Sequence, residues 1–395
     1  MKARIEAILA RITSRTGRQD PSEVLAILTS SRGDEIDRLL AGLDLDALLN
    51  EGNLVIGSPT QALLQRLTVE RLADLTVPTR ATLIRALQRG LPGALSERAI
   101  RTIFLGTTGR ALTDLKVAID SGADHSDLHQ LVFHDIDNAI LREEILMHLD
   151  QEGRANPIDE VKVLSDIDDT FFASWKDVRF PLKTVYPGVL QLYAELDRGA
   201  GDVPKMAGDL TFVTARPGDG LGVIEKSLHK ALQEHGAPLS TILTGSFAHL
   251  LGKRAIAAKK LDNFERYRRL YPEYGFVFVG DSGQGDILFG EQMLALGAVK
   301  AVFIHDVENT PEPTRSSLQQ RGILLFDTYV GAAVHAYPRC LIQRSGMARV
   351  AAAAVAKFDA IPWRSLSQKQ ARAAELARDI ERVNAYLPQE ERLSF

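Results

Sequence analysis

The chain has 395 residues, 45% hydrophobic and 25% charged, with a formal net charge of -4. That length exceeds one ordinary core, so two domains are expected, and the slight acidity gives no global reason to expect nucleic acid as a partner. The single cysteine, Cys340, excludes a disulfide framework and a cysteine-based zinc site.

Residues 1–155 read as helix throughout. "IEAILARI", "PSEVLAIL", "EIDRLLAGLDLDALL", "TQALLQRL", "RATLIRALQRG" and "SERAIRTIFLG" repeat apolar residues at i, i+3 or i+4. Pro21-Ser22 and Ser96 look like start signals. The N-terminal stretch "MKARIEAILARITSRTG" is basic and amphipathic; it reads as the first helix of a bundle, with a membrane-surface helix as the alternative. "HDIDN" at 134–138 reads as a loop or helix start. No apolar run reaches the length of a membrane span. These observations together give a cytoplasmic expectation, with peripheral contact at membranes, and a protein partner for the helical domain.

The pattern changes after the polar linker "DQEGRANP". Short apolar runs at 161–167, 210–215, 240–245, 276–281, 301–306 and 323–328 then alternate with helical stretches. Alternation of this kind predicts a mostly parallel sheet covered by helices. The expected organisation is an all-helical domain over 1–155, an α/β domain over 156–335, and a helical extension over 336–395.

In such a sheet, ligands bind beyond the carboxyl ends of the strands. The first strand delivers Asp166, Asp168, Asp169 and Thr170 in "SDIDDT"; the second ends in "VTARPGDG", presenting Thr214, Ala215 and Arg216; a later one ends in "GDSGQGD", presenting Asp281, Ser282 and Asp286. Crowded carboxylates repel and are costly to desolvate. A Mg²⁺ ion, which takes hard oxygen ligands, would offset that cost. Asp166 is then a candidate nucleophile, and Asp168, pointing the same way in extended geometry, a candidate general acid and base. Thr214 and loop amides would hold phosphate oxygens, and a lysine from "GKRAIAAKKLDNF" would neutralise transferring charge.

These residues resemble the four motifs of the haloacid-dehalogenase (HAD) phosphatase superfamily. "YPGVLQLYAEL", "GDSGQGD" and "VKAVFIHDV" are similar to the catalytic domain of actin-patch-associated phosphatidate phosphatases, and "TARPGDG" resembles the second motif of lipins. A Ser-Asn-Ser-Pro type second motif, usual in the actin-patch enzymes, is absent. The resemblance covers roughly 160–335. It implies an HAD-like Rossmannoid domain without a large cap that hydrolyses a phosphate monoester, with phosphatidate the leading substrate. It implies Asp166, Asp168, Asp281 and Asp286 as Mg²⁺ residues, Asp166 and Asp168 as catalytic carboxylates, and Thr170, Thr214, Ala215 and Arg216 as substrate contacts. For the lysine, Lys260 fits the spacing best, with Lys259 and Lys253 open alternatives. His134 and His305 lack ligand-spaced partners and are not read as metal ligands.

Two other readings remain at this point: a phosphatase of phosphoproteins or polynucleotide ends, and an interaction protein with a vestigial phosphatase fold. The intervals between motifs leave little room for a helical lid, so the site should be open and suited to a bulky substrate.

Overall fold

A computed structural model describes residues 20–50, 56–89, 93–120, 127–201, 210–217, 223–238, 240–245, 252–283, 285–297 and 299–395; of 34, 50, 215–217, 223–227 and 245 it describes the backbone alone. The segment "IEAILARI" and the loop 218–222 therefore lie outside the described residues. The chain divides into two compact units. One holds the described residues up to Pro157 together with Tyr267–Glu273; the other holds Ile158–Arg266 and Tyr274–Phe395.

The first unit is built from helices alone among its described residues. Asp20 accepts from the Ser22 amide at the start of the helix Pro21–Ser30, with Pro21 in the first turn, where its missing N–H costs nothing. In "HDIDN", His134 and Asp135 close the helical turn Leu131–Asp135, and Asn138 caps the helix Ala139–Ala155, so the stretch joins two helices. Ser96 is not a cap: it is buried within the helix Ala94–Leu105, which begins after Gly93. Within this unit Lys116 is fully buried and donates to Glu273, 2.7 Å away, and to the Leu270 carbonyl.

The second unit is a six-stranded parallel sheet with helices between successive strands: β1 Val161–Ser165, β2 Leu210–Pro217, β3 Thr241–Gly245, β4 Gly275–Asp281, β5 Val299–His305 and β6 Ile323–Phe326. Strands buried on both faces read as continuous apolar runs, which is why all six were legible in the sequence. The order is β3-β2-β1-β4-β5-β6. Strand order therefore reverses between β1 and β4, which pair with Val163 opposite Val277 and Ser165 opposite Val279. A crevice opens at such a reversal, beyond the carboxyl ends of the two strands.

Residues 336–395 add two long helices, Arg344–Phe358 and Leu366–Asn384, to the core of this same unit. Met347, Val350, Ala351, Ala354 and Phe358 from the first, and Leu376, Ile380 and Val383 from the second, are buried with the sheet residues Val163, Val279 and Phe303. Their alanines permit close approach: a Cβ on Gly188 would lie 3.3 Å from that of Ala354. Among the described residues, no helix is long and apolar enough to cross a membrane.

Since Phe358 is buried against Trp363, Phe358→Ala should cost the sheet unit roughly 3–5 kcal/mol. Urea denaturation of the full chain measures this. A loss below about 1 kcal/mol would show that the helix is a dispensable appendage.

Candidate active site

Asp166 is the first residue beyond β1. Its amide continues the ladder by donating to Val279 of β4 at 2.9 Å, which places its side chain over the reversal point. Asp281 ends β4, and Asp286 opens the next helix, Asp286–Ala295. The glycines of "GDSGQGD" make this approach possible. A Cβ on Gly280 would lie 2.5 Å from an Asp286 oxygen, and Gly285 has φ +98° with the Lys253 carbonyl oxygen 2.6 Å from where its Cβ would be. Carboxylate oxygens of Asp166, Asp281 and Asp286, all buried, lie within 4.8 Å of one another.

Lys260 enters this cluster from the helix Lys253–Leu270. Its Nζ donates to Asp166 Oδ1 at 2.7 Å and to Asp286 Oδ1 at 2.6 Å, and the side chain is 2% exposed. The other two candidate lysines lie elsewhere. Lys259 binds Asp262, and Lys253, largely exposed, faces Glu308 at 3.5 Å.

With three carboxylates against one ammonium, the site when fully ionised is two positive charges short. Burial pushes Asp166 up to about 7; Lys260 opposes this and Asp286 adds to it. Burial, with Asp286 and Asp166 beside it, raises Asp281 well above the usual carboxylate range. Burial alone would lower Lys260, but the carboxylates of Asp166 and Asp286 overrule it and hold the ammonium charged. Asp281 Oδ1 accepts from the Gly283 amide, whereas buried Asp281 Oδ2 has no hydrogen-bond partner. A buried acceptor without a donor is costly, and three converging carboxylates form the hard oxygen set that a divalent cation takes. The residues present therefore fit a metal ion.

Thr170 is fully buried and its hydroxyl has no hydrogen-bond partner. Thr214 is buried near the carboxyl end of β2. The side chains of Ala215 and Arg216 lie outside what is described. Asp168, half-buried, is not one of the three carboxylates that share the cation position. Ser282 faces away, donating to Asp306 and accepting the Val307 and Glu308 amides.

Two residues have structural roles that the motif alone did not assign. Asp169 sits at φ +60°, a backbone region in which Asp is among the better-tolerated residues. Its carboxylate accepts three amides, from Ser174, Lys176 and Asp177, at 2.7–3.1 Å. The third acid of "DIDDT" thus fastens the following loop and takes no part in the cation cluster. His305, ending β5, is buried; burial and the Arg179 guanidinium push it down to about 4. As a neutral ring it takes Arg179 Nη2 on Nε2 at 3.3 Å and donates from Nδ1 to the Asp169 carbonyl at 3.0 Å. Only its place at a strand end hinted at this.

Fold and site define a Rossmann-like domain with an acidic, lysine-bridged centre of the kind that transfers phosphoryl groups. In agreement, residues 161–306 match the family described as phosphatidate phosphatase APP1, catalytic domain. The segment is thus a HAD-like phosphatase domain of the lipin and actin-patch type, and an enzyme domain. No curated protein matches the chain, and no solved structure does.

Removing the Lys260 charge tests the electrostatics. Lys260→Met leaves Asp166 and Asp286 buried without their cation, at a cost of roughly 3–5 kcal/mol in metal-free protein. The sign with pH follows from Asp166. In the unfolded chain it loses its proton near the ordinary carboxylate value, but in the fold it keeps it up to about 7. Its contribution therefore makes the metal-free fold less stable as pH rises through that interval, and Lys260→Met should steepen the fall. Urea midpoints in EDTA at about pH 5 and pH 8 check this; a variant deficit independent of pH would contradict it.

Proposed function

We propose that the chain is a Mg²⁺-dependent phosphate monoester hydrolase acting on phosphatidate through an aspartyl-phosphate on Asp166. The observation that carries this reading is Lys260 spanning Asp166 and Asp286 beside the unpartnered Asp281 oxygen. Asp166, Asp281 and Asp286 would hold the ion, which when bound supplies positive charge to the phosphoryl oxygens.

In this reading the other Asp166 oxygen attacks phosphorus as the ester P–O bond breaks, and Asp168 gives its proton to the departing alcohol oxygen. Asp168 then takes a proton from water as the water oxygen attacks phosphorus. The acyl-phosphate P–O bond breaks, releasing inorganic phosphate and restoring the Asp166 carboxylate. Lys260 holds Asp166 in place and offsets its charge. Thr170 and Thr214 offer hydroxyls to phosphoryl oxygens. The family match supports phosphatidate as substrate, and a lipid substrate implies work at a membrane surface. The chemistry belongs to residues 156–335, completed by the helices of 336–395, with 1–155 a separate helical domain.

Phosphate release from phosphatidate, a phosphopeptide and a nucleotide, each with Mg²⁺, tests the assignment. Phosphatidate should be the best substrate, EDTA should abolish release, and added Mg²⁺ should restore it. Asp166→Asn and Asp168→Asn should each lower turnover by roughly 10²-fold or more in folded protein. Asp281→Asn should first raise the Mg²⁺ requirement. Near wild-type turnover by Asp166→Asn would remove the nucleophile assignment, and release from the nucleotide or phosphopeptide alone would remove the substrate.

A further inference from the structure

Between Asp169 and the helix Val189–Arg198 the chain forms a hairpin that the chemistry above does not use. Its base is closed by two hydrogen bonds, from the Ala173 amide to Thr184 and from the Lys183 amide to Ala173, at 2.9 and 2.8 Å. Phe172 bridges to Val185 below it. The hairpin is held rigidly. Asp169 takes three of its amides, and Asp177 accepts from Arg179 Nε at 2.7 Å and from the Tyr186 hydroxyl at 2.9 Å. Phe180 packs against Tyr186 and Trp363.

The hairpin stands at the edge of the candidate site. A Cβ on Gly283 would lie 2.9 Å from Asp281 Oδ1 and 3.2 Å from Lys176 Cγ, so Lys176 borders the loop that carries the metal carboxylate. Its outer face is unusual for a water-exposed turn: Trp175 is 85% exposed, Val178 73% and Leu182 61%. Three large apolar side chains within eight residues, on a rigid support, form a patch that marks an interaction surface. The exposed charged residues among them, Lys176 and Lys183, are both basic; the one carboxylate, Asp177, is buried and paired.

We propose that the hairpin 173–184 is a lipid-surface anchor that inserts Trp175, Val178 and Leu182 into the headgroup–acyl boundary and sets Lys176 and Lys183 among anionic headgroups. The chemistry of the patch selects this occupant. Tryptophan favours the interface between water and hydrocarbon, and lysines beside it gain from anionic lipid. The anchor rests on the phosphatidate reading and deepens it: insertion beside Asp281 brings a headgroup to the site without the lipid leaving the bilayer.

The test uses the full chain carrying Trp363→Phe, so that Trp175 is the only tryptophan left of two. It is mixed in EDTA with phosphatidylcholine vesicles, with and without phosphatidate. With phosphatidate present, Trp175 emission should shift to the blue and be quenched by acyl chains brominated near the headgroup. Trp175→Ser combined with Leu182→Ser should weaken vesicle binding by roughly tenfold or more. The same pair should slow release from vesicle phosphatidate while leaving release from a soluble short-chain phosphatidate unchanged. Lys176→Ser with Lys183→Ser should weaken binding and flatten its dependence on salt.

Unquenched Trp175 in a protein that hydrolyses vesicle phosphatidate would overturn the anchor, as would wild-type vesicle turnover by the apolar pair. So would a halving of the protein's mass in solution on introducing that pair, which would assign the patch to a second copy of the chain. No release from either soluble or vesicle phosphatidate by the Trp363→Phe chain and the natural chain alike, with Trp175 inserting, would overturn the substrate reading and leave the anchor supported.

Discussion

The site depends on one costly arrangement, three carboxylates and an ammonium taken out of water together. Lys260 contacts two of the acids but not Asp281 Oδ2. A fully compensated cluster would be structural; this one is left negative and under-bonded, with a raised Asp166 and a raised Asp281. Strain of this kind persists only where the surrounding fold holds the groups in place. Here β1 and β4 do so as neighbours at the strand reversal, and the helix Lys253–Leu270 delivers the lysine from one side.

The rest of the unit can be understood as support for that placement. Gly280 and Gly285 let Asp286 close on Asp281. The Tyr329 hydroxyl donates to the Thr170 carbonyl, and Tyr193 shares a hydrogen bond with Ser165, at 2.6 Å, behind the nucleophile. His305 ties the end of β5 to the Asp169 carbonyl. Each contact comes from a different strand or helix, so the turn "DIDDT" is fixed from several sides.

Much of this was legible in the sequence, for a physical reason. Strands of a parallel sheet are covered on both faces and stand out as apolar runs, and ligand groups cluster at their ends. Six strands and the positions of Asp166, Asp281 and Asp286 followed from that alone. Spacing favoured Lys260 over Lys259 and Lys253, but adjacent lysines on a helix differ by about 100° of rotation, and only the packed helix shows which one enters the cluster. The sequence concealed two further things. Alanine-rich "ARVAAAAVAKF" reads only as part of a helical extension because small residues carry little hydrophobic signal; yet Ala351 and Ala354 are buried. Likewise Asp169, identical in type to its neighbours, differs from them only in backbone conformation, which no residue pattern displays.

The account stands on the claim that the carboxylate cluster is made for a cation and carries excess protons without one. Binding of a metal to raised carboxylates must release those protons. Calorimetric titration of the metal-free protein with Mg²⁺, in two buffers of different ionisation heat at about pH 6, counts them directly. The account predicts net proton release at that pH, diminishing as the pH is raised and reduced in Asp166→Asn, where Asp281 alone of the two raised acids remains. Mg²⁺ binding with identical heat in both buffers, or no binding at all, would contradict it.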